Sequence, residues 1–387
     1  MSFKLNLLLS LLSAACLVVA TQAQFNFQEH TLATELSGGY QVVVADLNHD
    51  GKPDLIALAS GMKELVWFEN PNWTRHVIIN NGSRMINCAA YDTDGDGIPE
   101  IALAQEFSNN PAQSIGIVSI LKHKGDPTQL WEATEIDRLP TSHRLRWADI
   151  DGNGKKVLVN APLANASPQS PEYKGYVPLV LYRPGMWKRE PISSALEGVL
   201  HGLYIIDIDR DGREDVLTAS FVGVDSFRFV KDGRWLRNKL VAGDPAPWPK
   251  SGASEIAVGM LGKERFLATI EPWHGHQVCV YRFGKTDWER LVIDDKLNDG
   301  HTLLTADLNG DGRDEIIAGY RGEGRSVYVY SFDTKAKKWL RQTLDDGGIA
   351  AAACAVADLN GDGKPDLACI GSATMNLKWY ENLGKGK

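Results

Sequence analysis

The chain has 387 residues, a formal net charge of −8 and 23% charged residues, an ordinary composition for a globular protein with a large core. Neither the whole chain nor any stretch forms a basic stripe, so nucleic acid is excluded as a partner on electrostatic grounds. Much of the negative charge is concentrated in short acidic loops, so bound cations would bring the folded protein nearer neutrality.

Residues 1–23 combine a Lys4 n-region, an apolar run from Leu5 to Ala20 and small residues near Ala20 and Ala23. This reads as a secretory signal peptide, too short to be a membrane span, and implies a secreted or periplasmic protein. A lipoprotein anchor at Cys16 fits less well, because the apolar run continues past the cysteine.

From residue 24 onward one pattern recurs at an interval of 40 to 60 residues. A short apolar run leads into a loop with Asp or Asn at positions 1, 3 and 5, Gly at position 6 and a carboxylate at position 9. The copies are Asp46, Asn48, Asp50 and Asp54; Asp92, Asp94, Asp96 and Glu100; Asp207, Asp209, Asp211 and Asp215; Asp307, Asn309, Asp311 and Glu315; and Asp358, Asn360, Asp362 and Asp366. Oxygen ligands at this spacing suit Ca²⁺, which takes six to eight of them at about 2.3–2.6 Å. The flanks are short Val-, Ile-, Leu- and Ala-rich runs that read as buried strands, so each loop is the turn of a β-hairpin and the calcium is structural. A sixth copy, Asp149, Asp151 and Asn153, has Val157 at position 9 and is expected to bind metal weakly or not at all. Glu255 to Ile270 supplies a seventh pair of strands without the acids.

Two aromatic- and basic-rich strands follow each hairpin, for example Leu65 to Phe68 and Trp73 to Ile78. Four strands per repeat and seven repeats predict an all-β, seven-bladed propeller occupying residues 24–387 as one domain. The last repeat has three strands. Phe27 to Leu32 reads as a lone fourth strand, expected to close the ring by joining it. Cys88, Cys279, Cys354 and Cys369 match no zinc or disulfide framework and read as buried thiols, although Cys354 and Cys369 lie on neighbouring strands of one hairpin.

The repeats resemble the FG-GAP or VCBS type, which fixes a fold and says little about activity. The face opposite the acidic loops holds the irregular residues. His201-Gly202-Leu203-Tyr204, Glu271-Pro272-Trp273-His274-Gly275, and Asp299-Gly300-His301 followed by Ala318 to Gly322 resemble the propeller domain of aldos-2-ulose dehydratase and its bacterial relatives. The fungal enzyme carries cupin domains after its propeller, and the sequence here ends at Lys387. The resemblance implies a carbohydrate substrate and β-elimination from a keto sugar such as 1,5-anhydrofructose or a 3-keto-glycoside. His201, His274 and His301 are then candidate ligands for a divalent ion such as Zn²⁺. His143 is the candidate proton shuttle, with Tyr320 as the other candidate, and Arg321 would hold developing negative charge. Arg84, Tyr176, Trp273 and His276 are candidate substrate contacts. Two other readings remain open: a non-catalytic propeller that binds glycan or protein through the same rim, and a lyase acting on uronate polysaccharides.

Overall fold

The computed structural model describes residues 25–167 and 169–385, and the expected leader at residues 1–23 lies outside them. Seven four-stranded antiparallel sheets stand around a central channel as the blades of a propeller. Blades 1 to 6 take their strands in chain order, from Gly39–Ala45 innermost in blade 1 to Lys338–Asp346 outermost in blade 6. Blade 7 is built from Ala351–Ala357, Asp366–Gly371 and Leu377–Asn382, and its outer strand is Phe27–Ala33 from the other end of the chain. Phe27 stands opposite Asn382 and His30 opposite Trp379, so the missing fourth strand is supplied as the repeat count requires. Among the described residues no helix is long and apolar enough to cross a membrane.

The cores lie between blades, where the inner pair of strands of each sheet faces its neighbour. Strands such as Asp54–Ala59 and Asp215–Ser220 are buried along their whole length, which explains the apolar run Leu55–Ala59 in the first and the small residues that end the second. Two cysteine expectations divide. Cys88 and Cys279 are buried free thiols, whereas Cys354 and Cys369, directly opposed across the hairpin of blade 7 with Cα atoms 4.0 Å apart, form a disulfide. An opposed pair brings the two Cβ atoms closer than the diagonal offset that would have kept them apart.

The acidic loops all lie on one face. In each intact copy the ninth-position carboxylate is buried and accepts the backbone N–H of position 2, as Asp54 does from Leu47 (2.8 Å) and Glu315 from Leu308 (3.0 Å). The first aspartate accepts two further loop N–H groups, as Asp307 does from Asp311 and Gly312. The two blades without a ninth-position acid borrow one. Glu214, at position 8 of the blade 4 loop, accepts from Asp149 N of blade 3 at 2.6 Å, and Asp314, at position 8 of the blade 6 loop, accepts from Met260 N of blade 5 at 2.7 Å. Both contacts are closed by a backbone bond in the opposite sense. In blade 3, Arg183 also places a guanidinium nitrogen 2.8 Å from Asp151, as Arg228 pairs with Asp209 and Lys122 with Asp94 in intact loops.

Candidate functional site

One position in the repeat builds the site. Six residues ahead of the first loop aspartate stand Tyr40 (before Asp46), His143 (before Asp149), His201 (before Asp207), His301 (before Asp307) and Ala352 (before Asp358). At each of these the inner strand's register shifts by one residue. A bulge leaves its extra residue unpaired and re-aims the side chain. Here the bulged residues gather at the top of the channel, on the face away from the acidic loops.

His274 reaches the same point from the connection after the second strand of blade 5. Its backbone is left-handed (φ 48°), and its N–H donates to Ser254 Oγ at 3.2 Å. Such a conformation for a non-glycine residue is retained only when its surroundings hold it. Gly275 makes the turn possible, because a Cβ there would lie 2.1 Å from Glu271 O.

One ring nitrogen from each of His201, His274 and His301 lies within 4.8 Å of the others. Every one of the three has its Nδ1 committed on the far side. His201 Nδ1 is 2.8 Å from Glu255 Oε1, His274 Nδ1 is 3.2 Å from Asp299 Oδ1, and His301 Nδ1 is 2.5 Å from Ala352 O. With an oxygen beside each Nδ1, the tautomer protonated there makes the three Nε2 atoms the inward ligand atoms, although Arg321 Nη2 also stands 3.4 Å from His274 Nδ1 and Arg144 Nη2 3.4 Å from His201 Nε2. His201 Nε2 and His274 Nε2 then meet at 3.3 Å, and His301 Nε2 is buried without any partner among the described residues. Ring nitrogens that converge in this way are held together by a shared proton or by a cation, and with outer acceptors in place the donor set fits a nitrogen-bound divalent ion.

Electrostatics agree with that donor set. Burial pushes His143, His201 and His301 well below the usual imidazole range, with Arg144 adding to the effect at the first two and Arg321 at the third. His274 is pushed down to about 4 by burial and then by Arg321, against an opposing pull from Asp299. All four rings are therefore neutral near neutral pH, the form that ligates metal or accepts a proton.

Above these rings opens a cavity of about 600 Å³, with Arg84, Phe107, Asn109, Trp273 and Arg321 on its walls. Trp273 is braced by Tyr173 and Phe221, with ring centroids at 5.8 and 5.6 Å, so the insertion after Leu163 serves as a buttress rather than a lid. Both rim arginines are already neutralised: Arg84 by Glu106, and Arg321 by both oxygens of Asp299 at 3.1 Å.

Three expected site residues lie elsewhere. Tyr320 is turned into the core between blades, and its hydroxyl donates to Gly324 O at 2.6 Å, because alternation along its strand points it away from the channel. Tyr176 is 60% exposed at the outer start of its strand, and His276 is exposed beyond the turn that points His274 inward. Neither lines the cavity.

Three residues of the site were not among the candidates. Tyr40 places its hydroxyl 2.9 Å from His143 Nε2; Arg144 bridges Tyr40 (3.3 Å) and Glu255 (3.0 Å); Glu255 holds His201. Counting six residues back from Asp46 would have found Tyr40. Glu255 carries no such signal, since its blade has no acidic loop to count from.

Residues 115–284 match the family model described as the aldos-2-ulose dehydratase β-propeller domain, and residues 46–103 and 307–369 match an FG-GAP-like repeat. The chain is a seven-bladed propeller of FG-GAP-like repeats, related to the aldos-2-ulose dehydratase propeller. The dehydratase match contains His143, His201, Glu255 and His274, and ends before His301 and Arg321. No curated protein sequence matches the chain. Among solved structures, the Dos1 propeller is similar over 89% of this chain and 79% of its own, with a TM-score of 0.55 and 9% identity, a likeness of fold alone.

Proposed function

We propose that this propeller is a carbon–oxygen lyase that carries out metal-assisted β-elimination on a neutral keto sugar, with structural Ca²⁺ in its five intact loops. The observation that carries the reading is the convergence of His201, His274 and His301 on one point, each with its outer nitrogen anchored, at the base of a sugar-sized cavity. A divalent ion held there would polarise a ketone oxygen and acidify the adjacent C–H. The chain's own groups do the rest. His143, kept neutral, takes the α proton. For that, Nε2 carries the ring proton and donates to Tyr40 Oη at 2.9 Å, leaving the lone pair on Nδ1, which has no partner among the described residues. The electron pair of the broken C–H bond forms the C=C bond as the β C–O bond breaks, and the departing oxygen takes up the proton that His143 received, leaving as water or an alcohol and restoring the neutral ring. Trp273 offers an apolar face to the ring, and Arg84 and Arg321 donate to its hydroxyls.

The rim arginines favour a neutral sugar over a uronate. A guanidinium already spent on Glu106 or Asp299 offers little uncompensated charge to a substrate carboxylate.

The test is turnover of 1,5-anhydrofructose and 3-keto-glycosides, followed by ultraviolet absorbance of the enone and by elemental analysis. His301→Ala is expected to lose both bound metal and activity while remaining folded. His143→Ala is expected to keep the metal and lose about 10²–10⁴-fold in rate, the usual contribution of a positioned acid or base. Absence of transition metal from the wild type, with no turnover of any keto sugar, would overturn the lyase in favour of a glycan- or protein-binding propeller.

A further inference from the structure

Beneath the histidines, on the side away from the substrate cavity, lies a separate small chamber of about 80 Å³. Its walls include Gln41, Asn87, Arg144, Arg146, Glu255 and Thr302. Arg144 and Arg146 alternate along one inner strand and so project from the same face into the channel.

The charges in this chamber do not balance. Glu255 is the one carboxylate on its walls, and it is taken by Arg144 at 3.0 Å. Arg146 makes no ion pair among the described residues. Its hydrogen bonds go to two neutral oxygens, Asn87 Oδ1 at 3.2 Å and Leu145 O at 2.7 Å. Burial pushes the neighbouring Cys88 thiol up to about 12, so it supplies no counter-charge. A second guanidinium, partly buried beside a first, is unfavourable without a counter-charge. Burial and Arg144 together push Arg146 down to about 10.

Donors and an approach are both in place. The Thr302 hydroxyl accepts from Cys354 N and still has its own proton to give. Asn87 uses its carbonyl oxygen on Leu145 N and Arg146, which leaves its amide N–H groups. On the loop face a wider cavity of about 380 Å³ leads inward past Lys156 to Arg146, which lines both spaces.

We propose that the chamber binds a small monovalent anion of chloride size between Arg144 and Arg146, with Thr302 and Asn87 as neutral donors. The anion enters from the loop face and balances the surplus guanidinium behind the histidines. This site does not depend on the lyase reading, since it would be filled in a binding propeller as well.

The test uses the intact protein. Crystals grown without halide and soaked in sodium bromide are examined by anomalous diffraction at the bromine edge. Thermal melting is followed in chloride against isethionate, an anion too large for the chamber, at constant ionic strength. The expected results are a bromide peak within hydrogen-bonding reach of both guanidiniums and a melting temperature that rises saturably with chloride. The rise should vanish in Arg146→Met and persist in Arg146→Lys. Thr302→Val should need a several-fold higher chloride concentration for half its effect, a readout that survives if Arg146→Met does not fold. A chamber holding only water in the bromide crystals, or an unchanged chloride response in Arg146→Met, would overturn the proposal.

Discussion

Glu271 is the buried group on which the His274 turn rests, and replacing it by alanine is expected to destabilise the protein severely. It ends the strand Glu264–Glu271 of blade 5, is 0% exposed, and leads directly into Pro272, Trp273 and His274. One carboxylate oxygen accepts from Thr269 Oγ1 (2.6 Å) and Tyr281 Oη (2.7 Å), and the other accepts from Arg290 Nε (2.8 Å) and Nη2 (2.7 Å). Truncation strands two hydroxyls and deprives a guanidinium of its carboxylate. Breaking a buried pair costs about 3–5 kcal/mol. Arg290 is partly exposed and keeps Gln277 as a partner, which favours the lower end; the two hydroxyls push upward. With about 2.1 cal/mol/K of unfolding entropy per residue over about 360 residues, roughly 0.76 kcal/mol/K, the loss corresponds to a fall in Tm of about 4–7 °C. Scanning calorimetry on Glu271→Ala reads this directly. A melting temperature within a degree of wild type would refute the argument that this carboxylate anchors the turn.

Stability without calcium should depend on pH through the loop carboxylates. Burial raises Glu315 to about 8, Asp215 to about 7 and Asp54 to about 6, with backbone N–H bonds opposing and neighbouring aspartates adding. Their folded values exceed the unfolded ones, so this stability is fully present below about pH 4 and is lost as pH rises through the folded values. In chelator the protein should therefore melt higher at pH 5 than at pH 8, and added calcium should raise Tm more at pH 8; equal calcium responses at the two pH values would contradict this. Glu214→Ala removes the acceptor that blade 4 lends to blade 3, and it should lower Tm by the same amount with and without calcium. Phe25, buried at the ring closure with its backbone N–H and C=O both bonded to Gln342, should cost about 3–5 kcal/mol on truncation to alanine, read by denaturant unfolding.

The fold was legible because its signals are local and repeated. A nine-residue loop between two apolar runs specifies a hairpin wherever it occurs, and the unpaired fourth strand at Phe27–Ala33 follows from counting strands. The site was legible only in part, because its residues come from blades far apart in sequence and their directions depend on register. Tyr320 and His301 lie on paired strands of blade 6, yet one bulge turns His301 into the channel, while regular alternation turns Tyr320 into the core. The borrowed carboxylates Glu214 and Asp314 were hidden for a related reason. Each sits inside a loop that already has its own ninth-position acid, and only the placing of neighbouring blades shows that it serves the next one.

The loop face and the site are mechanically one object. The ninth-position carboxylate bonds the N–H of loop position 2, which fixes the inner hairpin's register from the loop end. Six residues back along the strand, that register ends in the bulge that presents Tyr40, His143, His201 or His301. A one-residue slip at the loop would carry the opposite side-chain set to the channel, so in the blades that carry the bulge the acidic loop of one face sets which residue reaches the histidine cluster on the other. The loop alone does not make the bulge, since blade 2 keeps Glu100 on Thr93 N and its inner hairpin runs without a register shift; two other blades depart in the opposite sense, by lacking the ninth acid. Blade 3 has lost its ninth acid but must still present His143, and Glu214 fixes its register from outside at Asp149 N. Blade 5 has lost the loop entirely and has no bulge in its inner hairpin, and it contributes Glu255 from the strand start and His274 from a separate turn instead. Where the register device is absent, the site is supplied by another route.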